Sequence, residues 1–247
     1  MSQALSASNG SDQDPECRRD EMMALEMIDA LHLASASLPI GGFAYSQGLE
    51  QAHASGLVQN RVQAADWLRD ALLLVLARQD LPLWLACHDA ATRANWEVLA
   101  QHTQSLVALR ESAEFRLESQ QMGYSLMQLY PQWVRPEDMP CSAMQESLAR
   151  NYTAAHATLT ALRRMGWSVG LIAYIWSWLE SQVMAAVKIL PLGQRDGQWL
   201  LHQARGWVAQ AVQGARDVDA NAAGTAAFGL AMLSTRHETQ YSRLFRS

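Results

Sequence analysis

The chain has 247 residues, of which 49% are apolar and 17% charged, and its formal net charge is −5 at pH 7. This length suits one domain, or at most two small ones, with a substantial core. The acidic balance argues against nucleic acid as the main partner, because phosphate binding needs a basic face. Three widely spaced cysteines, Cys17, Cys87 and Cys141, form no C-x-x-C pair and indicate reduced thiols rather than a disulfide framework or a zinc site.

The first 24 residues are expected to form a disordered tail. Residues 1–21 are polar and acidic and lack the apolar run of a signal peptide. The longest apolar stretch, residues 169–179, is too short to cross a bilayer. We therefore expect a soluble, cytoplasmic protein with no membrane segment.

Helical periodicity dominates the rest of the chain. It predicts helices over 25–38, 43–56, 62–79, 81–99, 102–130, 145–165, 169–190, 199–215 and 222–233, with an interruption near Gly123. Gly56 is predicted as a helix C-cap, 131–142 as a proline-rich loop and 193–197 as a turn. No stretch alternates at period two long enough to be a strand. The sequence predicts one all-α domain over 25–233, a bundle of about eight to ten helices, followed by a C-terminal tail, 234–247.

The helix around Phe115 has two candidate faces. Leu106, Leu109, Ala113, Leu117 and Tyr124 form an apolar stripe, opposite an acidic band of Glu111, Glu114 and Glu118. Phe115 and Met122 lie beyond that band, off the main stripe. They are either buried by another helix of the same chain or, with Arg116, part of a dimer contact.

The most apolar helix carries Trp176, Glu180, Met184 and Lys188 at successive i+4 positions, on one face. Glu180 and Lys188 are then ~12 Å apart along the axis, too far for a direct ion pair. One interpretation is that Lys188 caps the helix C-terminus and extends to solvent. The other is a polar, hydrated passage or an interface with a partner.

The last residues include Tyr241, Leu244 and Phe245 at i, i+3 and i+4, beside three arginines. That spacing is typical of a helix that docks in a hydrophobic groove. The alternative is that the tail folds back on its own domain.

The sequence contains no residue pattern that is typical of a catalytic site. The seven histidines are scattered singly, no glycine loop has P-loop spacing, and no pattern indicates a high-affinity metal site. We therefore expect a protein that is not an enzyme, with no catalytic and no metal-binding residues.

Four collinear segments carry a family resemblance. The first covers 31–50 and ends in LPIGGFAYSQGLE, and the second covers 110–126 and contains Arg116, Glu118, Gln121, Met122 and Gly123. The third covers 178–198 and contains Gln182, Lys188 and the sequence PLGQ at 191–194. The fourth is the end of the chain, HETQYSRLFRS. Together they resemble the UreF-type urease accessory proteins.

The resemblance implies an all-α, dimeric, non-catalytic member of the nickel-insertion machinery of urease. Its implied partners are UreD (also called UreH), the GTPase UreG and the urease apoprotein, with nickel as cargo and no tightly bound cofactor. The residues implied in partner binding are Arg236, His237, Glu238, Gln240, Tyr241, Arg243, Leu244 and Phe245, in a tail expected to be mobile until UreD binds. Those implied in assembly or gating are Glu180, Gln182, Lys188, Pro191, Gly193 and Gln194. Alternatives are a GTPase-activating regulator of UreG, using Arg116, Arg236 or Arg243, and a weak nickel carrier.

Overall fold

The structure is a computed structural model and describes residues 15–225 and 227–246. Within these residues the chain forms twelve α-helices and no β-strand, which confirms the predicted all-α fold. The helices are α1 (Pro15–Ala34), α2 (Leu49–Ala54), α3 (Arg61–Asp70), α4 (Asp80–Thr92), α5 (Trp96–Ala108), α6 (Ala113–Met127), α7 (Tyr130–Trp133), α8 (Ser142–Leu148), α9 (Tyr152–Leu162), α10 (Trp167–Ile189), α11 (Gln194–Arg216) and α12 (Phe228–His237). Among the described helices, none has the length and apolarity needed to cross a membrane.

Helix α1 begins ten residues before the predicted start at Leu25. The proline ring of Pro15 fixes φ near the helical value at the first position of the helix. The negative charge of Glu16 in the first turn interacts favourably with the positive end of the helix dipole. Residues 15–24, predicted to be disordered, are therefore helical. The remainder of that predicted segment, 1–14, lies outside the described residues.

The predicted helices 81–99 and 102–130 each break at a capping residue. The Asn95 side chain accepts a hydrogen bond from Val98 N at 3.3 Å and starts α5, and the Ser112 hydroxyl accepts one from Phe115 N at 3.1 Å and starts α6. Both are typical N-caps. The predicted Gly56 C-cap is confirmed: its φ is +79°, and Leu57 N donates to Ala52 O.

The interruption predicted near Gly123 is wrong, because α6 runs through it. A Cβ at this position would lie 2.9 Å from the carbonyl carbon of Asn151, the N-cap residue of α9. The glycine therefore permits α6 and α9 to pack closely rather than breaking a helix.

Two other predicted irregular segments are partly helical. The loop predicted for 131–142 contains α7 and a 3₁₀ turn at Pro136–Asp138. The turn predicted for 193–197 is the first turn of α11, where the Asp196 carboxylate accepts a hydrogen bond from Gly193 N at 3.2 Å. That carboxylate satisfies one of the free N–H groups at the helix start.

The main core is built around α4, α9 and α10. Helix α4 packs against α5 and α9, α6 packs on the other side of α9, and α10 is flanked by α1 and α11. A smaller apolar cluster joins α2 and α3 to the ends of α10, α11 and α12. This second cluster brings α12, and with it the C-terminal tail, next to α2 and α6.

Helix α6 is oriented opposite to the prediction. Glu114, Glu118 and Met122 are buried, whereas Leu117 and Tyr124, predicted to face the core, are 63% and 58% exposed. The predicted stripe fails because the break at 109–112 separates Leu106 and Leu109 from α6. The buried carboxylates are tolerated because each has polar partners, among them Gln47 Nε2 at 2.6 Å from Glu118 Oε1.

Candidate functional site

The C-terminal tail, residues 238–246, follows α12 without forming a helix. Its three apolar residues do not share one face. Phe245 is buried, Leu244 is 64% exposed and Tyr241 is fully exposed. The predicted helical turn is therefore wrong, and only Phe245 is anchored in the domain.

The residue that ties α12 to the body is His237, whose side chain is completely buried. Its Nδ1 lies 2.9 Å from Glu114 Oε2, and its Nε2 lies 3.2 Å from Glu50 Oε2. Each ring nitrogen therefore lies within hydrogen-bond distance of a different carboxylate. The ring thus bridges α2 and α6 from the end of α12.

Glu50 also holds the backbone of the tail. Its Oε1 accepts a hydrogen bond from Leu244 N at 2.7 Å, and its Oε2 accepts one from Phe245 N at 2.9 Å. Arg243 Nη1 donates to Glu114 Oε1 at 3.0 Å. We call Glu50, Glu114, His237 and Arg243 the C-terminal cluster. Its two buried carboxylates are stabilised by several charge-assisted or backbone hydrogen bonds, the condition for keeping such groups out of water.

Further contacts extend from the cluster in both directions. At the first residue of the tail, Glu238 Oε1 accepts a hydrogen bond from Ala113 N at 3.0 Å and so caps α6. At the other end, Arg246 N donates to Ala44 O at 2.9 Å, and Arg246 Nη1 donates to Gln121 Oε1 at 3.1 Å. The tail is consequently fixed on its own domain, which differs from the expectation of a mobile tail in the free protein.

The predicted partner-binding residues divide into two groups. Arg236, Tyr241, Arg243 and Leu244 are exposed, Glu238 and Gln240 are half-buried, and His237 and Phe245 are buried. Sequence reasoning missed Glu50 and placed Glu114 in an outward band. The sequence feature that points to Glu50 is its position at the end of the first family-like segment, immediately after Leu49. No sequence feature points to Glu114, because its role depends on the orientation of α6.

The predicted residues of α10 lie on two sides of that helix. The Trp176 indole N–H donates to Glu180 Oε1 at 2.9 Å, as their i+4 spacing allows. Gln182 is buried and donates to Tyr45 O at 3.2 Å. Lys188 is exposed, with its Nζ 5.8 Å from the centroid of the Phe245 ring, a cation–π distance. The tail therefore contacts the end of α10 as well as α2 and α6.

The remaining predicted assembly residues are also exposed: Pro191 and Gly193 in the turn between α10 and α11, and Gln194 as the first residue of α11. Glu180 lines a surface groove of about 250 Å³ between this region and residues 35–43. Gly42, Ser177 and Ser181 line both this groove and an inner cavity of about 80 Å³. Lys188 lines neither space.

The inner cavity has a mostly apolar lining with one polar wall. Asp80 and Arg110 form a buried ion pair in its wall, and the Thr153 hydroxyl donates to Asp80 at 3.0 Å. Burial opposes the charge of Arg110, but the adjacent Asp80 carboxylate outweighs it, so the pKa of Arg110 is raised. Arg110 Nε has no protein partner. This cavity is suited to hold ordered water.

The predicted dimer-contact residues do not form an exposed ridge. Met122 is buried, with its methyl carbon 3.2 Å from where a Cβ on Gly42 would lie. Phe115 is half-buried and lines the inner cavity. Arg116 is exposed and donates to Arg110 O at 2.9 Å. Met122 is therefore buried by its own chain, the first of the two alternatives, while a dimer contact by Phe115 and Arg116 stays a prediction.

A metal centre is not apparent in the described part of the chain, where no three His, Cys, Asp or Glu residues are arranged to hold an ion. The most buried of the other histidines, His156, accepts a hydrogen bond from the Trp84 indole at 3.2 Å. Burial lowers the pKa of His156 to about 3, so this ring is neutral and structural.

Comparisons with known proteins point to the same family that the four sequence segments resemble. The UreF family model matches residues 58–205. A Pseudomonas fluorescens (strain SBW25) protein named Urease accessory protein UreF is 44% identical over 222 residues, covering 88% of this chain and 97% of that protein. A Cupriavidus necator protein with the same name is 43% identical over 235 residues, covering 90% and 98%.

Proposed function

The chain belongs to the UreF family of urease accessory proteins, and on that premise we propose that it is a non-catalytic scaffold for nickel insertion into urease. It assembles with UreD and the GTPase UreG on the urease apoprotein, in the cytoplasm. Nickel is the cargo of the complex and not a resident cofactor of this chain. The family assignment rests on the match over residues 58–205 and on relatives above 40% identity along most of the chain.

The observation that supports a scaffold most directly is the C-terminal cluster. It fixes the tail so that Tyr241 and Leu244 face solvent while Phe245 is buried beneath them. Helix α12 adds Phe228 and Met232, which are 72% and 54% exposed. Exposed aromatic and Met side chains are characteristic of protein-binding surfaces. We assign this C-terminal surface, defined by Phe228, Met232, Tyr241 and Leu244, to UreD.

This assignment changes the role of the tail residues. The sequence predicts that Tyr241, Leu244 and Phe245 all dock in a hydrophobic groove of UreD. In the present proposal Phe245, His237 and Arg243 position the tail on its own domain, and Tyr241 and Leu244 make the contact. Because the surface is ordered before binding, less conformational entropy is lost on association.

Lys188, Glu180 and the turn between α10 and α11 form the second part of the proposal. Lys188 contacts the ring of Phe245, so a partner that binds at the tail also acts on the end of α10. Glu180 lies in the groove beside the inner cavity. This arrangement supports a polar passage or assembly contact there, to which Gln182, Pro191, Gly193 and Gln194 contribute.

The test is capture of UreD by the full chain and by the double variant Tyr241→Ser with Leu244→Ser. These side chains are exposed in the free protein, so the variant should keep its fold and its helical circular dichroism while binding falls at least ~100-fold. The control is Leu117→Ser with Tyr124→Ser on α6, which likewise removes one exposed leucine and one exposed tyrosine. Equal capture by all three proteins would contradict the assignment of this surface.

A second arm tests the scaffold role itself. GTP turnover by UreG should be the same with and without this chain. A rise in turnover that disappears in Arg236→Ala or Arg116→Ala would favour the activating role instead.

A further inference from the structure

A surface pocket of about 510 Å³ lies where α10 begins and α11 ends, beside one face of α4. Pro82, Leu85 and Thr92 of α4 line one side of it, and residues at the end of α11 and just after it line another. Trp167, the first residue of α10, contributes an aromatic ring and is 38% exposed. The volume lies in the range of ligand-binding pockets.

The lining combines apolar side chains with one stacked cation. Pro82, Leu85 and Val218 supply apolar surface. The guanidinium carbon of Arg216 lies 5.3 Å from the centroid of the Trp167 ring, a cation–π distance. Stacking occupies the flat face of the guanidinium and leaves its in-plane N–H groups available as a planar set of donors for a carboxylate. Tryptophan and arginine are also the side chains that most often dominate protein-binding surfaces.

The charge of Arg216 is unpaired, whereas the carboxylates around the pocket are engaged. Among residues 15–225 and 227–246, none forms an ion pair or a hydrogen bond with this guanidinium. Asp89 in the lining pairs with Arg93 at 2.9 Å, and the carboxylates of Asp217 and Asp219 accept hydrogen bonds within their own segments. The last turn of α11 favours a positive charge at Arg216, but it does not account for a stacked guanidinium beside an apolar pocket.

The third ionisable side chain of the lining, His88, adds no charge. Its Nε2 lies 3.0 Å from Met165 O, and its ring stacks on Trp84 with the centroids 5.2 Å apart. Burial lowers the pKa of His88, so the ring is neutral at pH 7. Arg216 is therefore the positive charge that this pocket offers to a ligand.

The pocket is remote from the C-terminal surface. Trp167 begins α10, and Lys188, which contacts the ring of Phe245 in the tail, lies in the last turn of the same helix. Twenty-one residues of helix separate them by roughly 30 Å. A ligand in the pocket and a partner at the tail can therefore be bound at the same time.

We propose that this pocket binds a peptide segment of a partner protein in which Asp or Glu adjoins a large apolar side chain. The carboxylate accepts hydrogen bonds from the in-plane N–H groups of Arg216, and the apolar side chain packs against Trp167 and Leu85. Both features are required, because an inorganic anion leaves the apolar surface uncovered and an apolar side chain alone leaves the guanidinium unpaired. The site is independent of the contact assigned to UreD.

The experiment is an NMR titration of the full-length protein, followed at the indole N–H of Trp167, which Trp167→Phe identifies. The probes are three peptides: acetyl-Leu-Glu-Leu-amide, acetyl-Leu-Gln-Leu-amide without the carboxylate, and acetyl-Ser-Glu-Ser-amide without the apolar side chains. The proteins are the wild type, Arg216→Gln and the control Arg205→Gln, which changes another exposed arginine of α11 outside the pocket. Circular dichroism establishes that the variants are folded.

We expect the wild type and Arg205→Gln to bind the Leu-Glu-Leu peptide with a dissociation constant in the millimolar range. The Leu-Gln-Leu peptide should bind roughly two- to fivefold more weakly, the effect of one partly exposed ion pair, and the Ser-Glu-Ser peptide should also bind more weakly. In Arg216→Gln the preference for Glu over Gln should disappear.

Three results would overturn the proposal. They are an unchanged Trp167 signal at about 10 mM Leu-Glu-Leu peptide, a preference for Glu that persists in Arg216→Gln, and binding of the Ser-Glu-Ser peptide as tight as that of Leu-Glu-Leu, which would indicate contact with an anion only. Because no other urease accessory protein enters the titration, none of these results bears on the scaffold role.

Discussion

The role of Glu50 as the anchor of the tail makes a specific prediction for Glu50→Gln. The carboxylate accepts hydrogen bonds from Leu244 N and Phe245 N, lies 3.2 Å from His237 Nε2, and belongs to a residue that is 8% exposed. The amide has nearly the same shape, but it has one acceptor oxygen and turns an NH₂ group toward a donor. A hydrogen bond to a charged group contributes about 1.5–3 kcal/mol, so losing one and weakening another costs the docked tail about 3 kcal/mol.

That cost should appear locally. The main core contains no residue of the tail, so thermal unfolding should change little. A cost of about 3 kcal/mol corresponds to a ~100-fold rise in the equilibrium constant for opening of the tail. Amide hydrogen exchange at Leu244 and Phe245 should therefore accelerate ~100-fold. Glu26→Gln is the matched control, because Glu26 accepts from a backbone N–H in another region.

The exchange data can refute the reasoning directly. If exchange at Leu244 and Phe245 is the same in Glu50→Gln and wild type, the carboxylate does not hold the tail. If Glu26→Gln accelerates the same amides equally, the effect is not local to the C-terminal cluster.

Three further predictions concern other parts of the molecule. Lys188→Ala should change the free energy of unfolding by less than about 1 kcal/mol, since the side chain is exposed, yet it should reduce nickel incorporation into urease. If the variant unfolds, or if nickel incorporation is unchanged, Lys188 only caps the C-terminus of α10. Burial lowers the pKa of His156 from 6.5 to about 3, so between these two pH values the unfolded chain binds one more proton than the native state, and the free energy of unfolding should fall by a few kcal/mol as the pH is lowered from 6.5 to 3. In urea titrations at several pH values, the free energy of unfolding of His156→Phe should fall less over this range than that of the wild type. An equal fall in both proteins would contradict this prediction. Gly123→Ala should destabilise the protein by about 2 kcal/mol, because the new Cβ would lie 2.9 Å from the backbone at the start of α9. Gly206→Ala in α11, where a Cβ would have no neighbour within 4 Å, should stabilise the protein by about 0.5–1 kcal/mol. Equal melting temperatures for the two variants would contradict the close packing of α6 and α9.

Periodicity was sufficient for the fold class but not for helix boundaries. Long apolar repeats predicted the helices of the core, and Gly56 was recognised as a C-cap from its type alone. The breaks before α5 and α6 were missed because Asn95 and Ser112 interrupt runs that are otherwise helical. Gly123 was assigned a local role, whereas it is required by a neighbour that lies close only in three dimensions.

The site was predictable in part. The tail was identified from family-like residues, but its conformation depends on Glu50 and Glu114, which are 187 and 123 residues from His237 in the chain. An i, i+3, i+4 spacing of apolar residues indicates a helix only where helical hydrogen bonds are the most favourable partners for the backbone N–H groups. Here Glu50 offers the N–H groups of Leu244 and Phe245 a charged acceptor, which competes with the helical hydrogen bonds.

The scaffold role is tested most directly by the nickel content of urease purified from cells that lack this protein and are supplied with defined variants. The account predicts nickel-poor urease without the chain and full nickel content with the wild type or with Leu117→Ser/Tyr124→Ser. With Tyr241→Ser/Leu244→Ser, nickel content should be low although the variant is folded and present at normal levels. Full nickel content in cells that lack the chain would contradict the proposed function, and full content with the Tyr241 and Leu244 variant would contradict the C-terminal surface as the contact that nickel insertion requires.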